Sequence, residues 1–281
     1  MAITATQRRT REWPLFVLAA LAVAAICVPL WNWANAPAPE SPEALHTAHR
    51  IARRLLQPEQ IACYGCFVWA ALILSSRYSE VRRQRRAFAL DLLPTDEGVR
   101  ILPEDARPLQ RKVDQIAGRR GPYILANMIR LALKKYAVSR SSQDVSETIR
   151  TQAEVDLGRL VSGMATVHYL AWAIPALGFL GTVRGLAGSL GMANQIEETS
   201  FISLVSSHLT VAFDCTLVAL ALSLVVMFML HSVQRDEEAL VIDCRQYCLE
   251  HLVNRLYDLE PNPEVAWGNS SGGERSQRSL S

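Results

Sequence analysis

Two charged side chains and two hydroxyls stand where apolar residues are the rule. Arg184 lies in the segment IPALGFLGTVRGLAGSL, and Asp214 in AFDCTLVALALS. A charge deep in a membrane helix costs about 2.5–3.5 kcal/mol on insertion scales, so it calls for a partner or a role. Thr182 precedes Arg184 by two residues, and Thr216 follows Asp214 by two. Positions two apart on a helix are rotated by about 200°, so within each segment the threonine and the charge face nearly opposite sides. With the two segments antiparallel, each charge lies about 3 Å to the same side of its threonine. This geometry predicts two layers, with Thr182 and Thr216 on one polar face and Arg184 paired with Asp214 on another, within a subunit or across a subunit boundary. The alternatives are that Asp214 is itself a titrating proton carrier, or that both charges snorkel to an interface. Gly178, Gly181, Gly185 and Gly188 recur every three to four residues and are expected to form a strip for close helix packing. A lone membrane threonine commonly bonds back to its own helix.

Other constellations carry less. Cys63-Tyr-Gly-Cys66 has the spacing of a redox pair, but it sits in an apolar run with no βαβ pattern around it, so small-residue packing is the expected role. Four of the six cysteines (27, 63, 66, 215, 244 and 248) lie in apolar runs, which argues against a disulfide framework. His46 and His49 lack further ligands in metal spacing. There is no nucleophile–base constellation or P-loop, so no enzyme, cofactor or metal is expected. A net charge of +2 without a basic, aromatic-interleaved stripe gives nucleic-acid binding no support.

The elements that must hold these residues are membrane spans. The chain has 281 residues, 50% hydrophobic and 20% charged, unevenly distributed. A bilayer core about 30 Å thick takes roughly 20 apolar helical residues to cross. Four runs qualify: Pro14–Trp33, Ile61–Ser76, Leu160–Leu190 and Leu209–Val233. His168 and Arg184 interrupt the third, and Asp214 and His231 the fourth. The fold class is all-α, a polytopic transmembrane helix bundle with long helices extending into the cytoplasm.

Arginine clusters set the orientation. Arg8, Arg9 and Arg11 precede the first span; Arg77, Arg82, Arg83, Arg85 and Arg86 follow the second. Both clusters stay cytoplasmic if the first two spans form a hairpin with the N-terminus inside. The expected organisation is an anchor over 1–36, an outer loop over 37–60, a second span over 61–76 and a cytoplasmic helical region over 77–159. A span pair over 160–233, a cytoplasmic helix over 234–260 and a disordered tail over 261–281 follow. Ala34-Asn35-Ala36 resembles a signal cleavage site, but Pro37 argues for a retained anchor. Ser41-Pro42-Glu43 is a helix start, predicting a short amphipathic helix over His46–Leu56. Pro94, Gly98, Pro103 and Pro108 are expected in one loop, and Gly118–Pro122 in another. Tyr123–Ala137 and Gln143–Leu160 read as helices, the latter leading into the third span. Glu197, Glu198 and Ser200 are expected in the outer turn.

Over Leu160–Leu240 the chain resembles the MotA/TolQ/ExbB proton channel family. Gly178-Phe179-Leu180-Gly181-Thr182-Val183 matches a Gly-Leu-Gly-Thr-Val-like motif, and Ala212-Phe213-Asp214-Cys215-Thr216 an Ala-Leu-x-x-Thr-like one. The resemblance implies an inner-membrane homo-oligomer, typically a pentamer, ringed around a small ExbD/TolR/MotB-like single-span partner that carries a protonatable aspartate. Thr182 and Thr216 would then be pore-lining, and proton flow would drive mechanical work. Four spans look most like the flagellar stator branch. The chain departs from the family at Arg184, commonly apolar or small, at Asp214, an added acid, and at Val211, a glutamate in some members. These changes keep a non-conducting scaffold of the same fold as the alternative.

Overall fold

A computed structural model describes residues 5–35, 56–90, 92–93, 100–118, 122–191 and 198–257. Seven helices run through them in chain order: α1 (Ala5–Asn35), α2 (Pro58–Arg85), α3 (Ala106–Gly118), α4 (Ile124–Ser139), α5 (Ser142–Ser162), α6 (Ala165–Gly191) and α7 (Glu198–His251). Short 3-10 turns occupy Arg86–Leu90 and Val253–Arg255. The described part is all-α; its only β contact is an isolated parallel bridge between Ile101 and Leu256. Four stretches are long and apolar enough to cross a membrane, within α1, α2, α5–α6 and α7. The 54-residue α7 runs far beyond the thickness of a bilayer. The amphipathic helix expected over His46–Leu56 lies almost wholly outside the described residues, as do Glu197 and the tail from residue 261.

Some expected boundaries move. The second helix begins at Pro58 rather than Ile61, because Pro58 starves no hydrogen bond at a first helical position. Pro108 belongs to the first turn of α3 for the same reason, not to a loop. Glu198 and Ser200 open α7 instead of lying in a turn. The helix entering the third span does not run straight in: α5 ends at Ser162, Gly163 and Met164 form a turn, and α6 starts at Ala165.

The described chain divides into two compact units. The first draws on Met1–Arg83 and Leu157–Ala239. Its core joins Cys63, Ala70, Ile73 and Leu74 of α2 to Val167, Leu170, Ala171 and Ile174 of α6 and Ala219, Val226, Leu230 and Val233 of α7. Val23 and Cys27 of α1 pack with Leu56, Ile61 and Tyr64, and Phe16 meets Trp69 edge-on at 4.8 Å. All the cysteines are free. Cys63 Sγ lies 3.6 Å from the Ile174 carbonyl, a packing contact between α2 and α6.

The second unit draws on Gln84–Asp156 and Leu240–Ser281. Gln84 starts α4: its amide donates to the Pro122 carbonyl at 3.0 Å and accepts from the Ile124 N–H at 2.9 Å. Arg140, at φ 54°, ends α4 in the left-handed region. Cys244 and Cys248 are buried on one face of α7, and burial pushes the Cys244 thiol up to about 12, with Asp243 and Asp156 adding to the effect. Burial also raises Cys248, so both thiols stay neutral and unreactive. The fully buried Tyr136 hydroxyl lies 3.0 Å from the Ile101 carbonyl and 2.7 Å from that of Tyr257. The hydroxyl ties the backbone at Ile101 and at Tyr257 to α4. Tyr136→Phe removes the hydroxyl donor from both carbonyls at a cost of about 1–3 kcal/mol, with the Ile101 carbonyl keeping its bond from the Tyr257 N–H at 3.1 Å. Limited proteolysis of the full chain should then cut beyond Leu252 faster than in the native protein, with Phe at position 136 leaving helix content unchanged.

Candidate functional site

The two hydroxyls of the expected polar face lie on α6 and α7, which pack antiparallel at very short range. Gly178 makes that approach possible. A Cβ there would run into the Ala219 Cβ and stand 3.4 Å from the Thr216 Cα. At Gly181 a Cβ would meet the Cys215 Sγ at 2.6 Å. Gly188 has no atom within 4 Å of such a Cβ among the described residues, so the packing strip narrows to Gly178 and Gly181 where they can be judged.

The close approach lets side chains of α7 reach backbone carbonyls of α6. Thr216 Oγ1 donates to the Gly178 carbonyl at 3.2 Å and also lies 3.4 Å from its own helix at Ala212. Seven residues further along α7, Ser223 Oγ donates to the Ala171 carbonyl at 3.0 Å. Pro175 explains why that carbonyl needs a donor. A proline has no N–H, so the carbonyl four residues before it loses its helical partner. In a membrane a neighbouring hydroxyl commonly restores the bond. Thr182, by contrast, donates to Phe179 of its own helix at 2.6 Å.

The charges divide differently from the expected pair. Within the chain, Arg184 does not take Asp214: its Nε lies 2.9 Å from Glu59 Oε1, and an NH2 group donates to Gln57 Oε1 at 3.2 Å. Glu59 is mostly buried, while Arg184 is more than half exposed, so solvent or headgroups screen the pair. The reason is rotational. Thr216 faces α6, so Asp214, about 200° away on α7, points away from it. Among the described residues Asp214 makes no ion pair or hydrogen bond, and it is half-buried. Glu59 was missed because it abuts the apolar run at its edge; Gln57-Pro58-Glu59 is the signal that could have found it.

A second charged contact closes the other end of the same unit. Arg77 of α2 pairs with Glu237 of α7 at 3.3 Å and donates to the Gly163 carbonyl in the α5–α6 turn. A Cβ on Gly163 would strike the guanidinium, so glycine makes room for the arginine. Glu59 and Arg77 are 18 residues apart, about 27 Å along α2, close to the thickness of a hydrocarbon core. The two ion pairs thus mark the two ends of the apolar zone.

Fold and site together define a multi-pass α-helical membrane protein whose last two spans form a tightly packed pair. Residues 122–246 match the model of the MotA/TolQ/ExbB proton channel family, a partial match running from the start of α4 into the last part of α7. That stretch holds Gly178, Gly181, Thr182, Arg184, Gly185, Gly188, Asp214 and Thr216. Members of this family are channel components, not enzymes. No curated protein and no solved structure matches the chain.

Proposed function

We propose that this protein is the ring subunit of a proton-conducting channel or motor complex, five copies surrounding an ExbD/TolR/MotB-like single-span partner. Proton flow past the partner's carboxylate would be coupled to mechanical work. The observation that carries this reading is the α6–α7 pair, which lies within the family match and is joined hydroxyl to carbonyl at Thr216 and Gly178. Thr182 and Thr216 are the proposed pore hydroxyls. Asp214, with its side free of α6, is the proposed acid that meets protons at the outer end.

Room for such partners exists on the apolar faces. Tyr169, Trp172, Phe179, Val183, Leu186 and Leu190 are exposed on α6 at spacings of three, four and seven. Phe213, Leu217, Leu220 and Leu224 are exposed on α7 at similar spacing. Lipid, neighbouring copies and a partner helix would share these faces. The scaffold alternative draws on one feature, the Arg184–Glu59 pair two residues from Thr182, which puts a cation beside the proposed path.

Proton flux in vesicles holding this protein with its single-span partner separates the two. Thr182→Val/Thr216→Val should assemble normally and lose the partner-dependent flux. A native, well-assembled complex with no flux above empty vesicles supports the scaffold.

A further inference from the structure

The polar contacts between α6 and α7 continue beyond the threonines and end on a titratable group. On α6, His168 precedes Thr182 by 14 residues, which leaves the two about 40° apart on one strip of the helix. On α7, Gln234 follows Thr216 by 18 residues, about five whole turns, so these two share a strip as well. The strips end in a contact: Gln234 Nε2 lies 3.4 Å from His168 Nε2. His168 Nδ1 is 3.0 Å from the Met164 carbonyl oxygen. A carbonyl can only accept, so Nδ1 carries the ring hydrogen and Nε2 offers its lone pair to the Gln234 amide. The rungs are thus Thr216 on Gly178, Ser223 on Ala171, and Gln234 on His168, itself bonded to Met164. His168 lies about 21 Å along α6 from Thr182, and its imidazole is exposed.

We propose that His168 is the inner proton-exchange residue of this face, with Gln234 as its amide partner. This rests on the channel reading above. A proton reaching the inner end adds to Nε2, and the imidazolium then donates from both nitrogens. Gln234 turns its amide over, so that Oε1 accepts from the new Nε2–H. Release of one proton to cytoplasmic water restores the starting state. No covalent bond between heavy atoms changes, and one proton leaves for each that arrives. Imidazole suits the task because its ring nitrogens can take up and release a proton, and Gln234 can satisfy either state because its amide both donates and accepts. By position among the described residues, the charged or titratable groups within nine residues of His168 are Arg159 and Tyr169, those within four of Gln234 are His231, Arg235, Asp236, Glu237 and Glu238, and Arg77 of α2 reaches Glu237. Arg77 and Glu237 neutralise one another.

The test measures proton flux against pH for the full complex in vesicles, with His231→Gln as the comparison. His168→Gln keeps a hydrogen-bonding side chain but cannot carry the proton. Flux should fall by about 100-fold, the lower end for a positioned proton-transfer group, and the native pH dependence should vanish, while His231→Gln keeps both. Gln234→Leu retains the imidazole and should move the midpoint of the pH profile and of the His168 ring resonance followed by nitrogen-15 NMR. Native flux that is lost in the threonine double mutant but kept, with its pH profile, in His168→Gln overturns the inference and leaves the channel standing. A native complex without flux overturns the channel reading and this inference with it. If His168→Gln fails to assemble, Gln234→Leu decides: unmoved midpoints in both measurements overturn the proposal.

Discussion

Gly178→Val should abolish the α6–α7 pair, and with it any assembled complex. The substitution places a branched side chain where even one Cβ would overlap the Ala219 Cβ and press on the Thr216 backbone. Overpacking a tight contact costs about 1–3 kcal/mol when neighbours can shift. Here part of the opposing surface is the α7 backbone, which yields only if the helices separate. Separation would also break the Thr216–Gly178 and Ser223–Ala171 bonds and leave the Ala171 carbonyl, deprived of its own helical donor by Pro175, unpaired in lipid. Gly178→Ala should be milder and partly rescued by Ala219→Gly, which removes the nearest opposing carbon. Gly181→Ala should be milder still, because the atom it meets is a cysteine sulfur at 2.6 Å on a side chain that can rotate. Gly188→Ala meets nothing among the described residues and should assemble normally. Yield of assembled complex by size-exclusion chromatography ranks the four. A Gly188 variant as damaging as the Gly178 one would show that the strip packs against something outside the chain.

Arg77→Ala should destabilise the membrane unit by about 3–5 kcal/mol, the usual result of removing one partner from a buried ion pair. Glu237 has a side chain only 5% exposed and would be left as a carboxylate without its cation contact. The Gly163 carbonyl would lose its guanidinium donor in the same step. Replacing the pair together is the sharper measurement. Arg77→Met/Glu237→Met removes both charges and should recover much of the loss, since an apolar pair in a buried site is often as stable as the ionic one. Arg77→Lys keeps the charge but loses the fork that reaches Glu237 and Gly163 at once, so it should fall between the native protein and Arg77→Ala. Thermal unfolding in detergent, followed by helix content, reads all three. A native-like Arg77→Ala would mean that Glu237 does not depend on the guanidinium.

What could be read in the sequence follows from free energies that are local along the chain. A run of about 20 apolar residues crosses a bilayer because lipid offers its backbone no other partner. The four spans and the all-α class were legible for that reason, as were the helices around Tyr123–Ala137 and Gln143–Leu160. Local motif was enough to mark Gly178 and Gly181 as positions of close helix packing. Partners across helices were not legible, because they depend on rotation and register between elements distant along the chain. Arg184 finds Glu59 across 125 positions, while Asp214, turned away by the bond that Thr216 makes, finds no hydrogen-bond donor or cation within the described chain. The break at Gly163 was hidden for the same reason: its cause is Arg77, 86 residues earlier. Ser223 and Pro175 are unremarkable apart, and only the antiparallel contact shows that one supplies the hydrogen bond the other removes. Composition and periodicity determined which segments enter the membrane. The tertiary structure decided which side chains meet there, because a helix states its own faces but not which neighbour each face will touch.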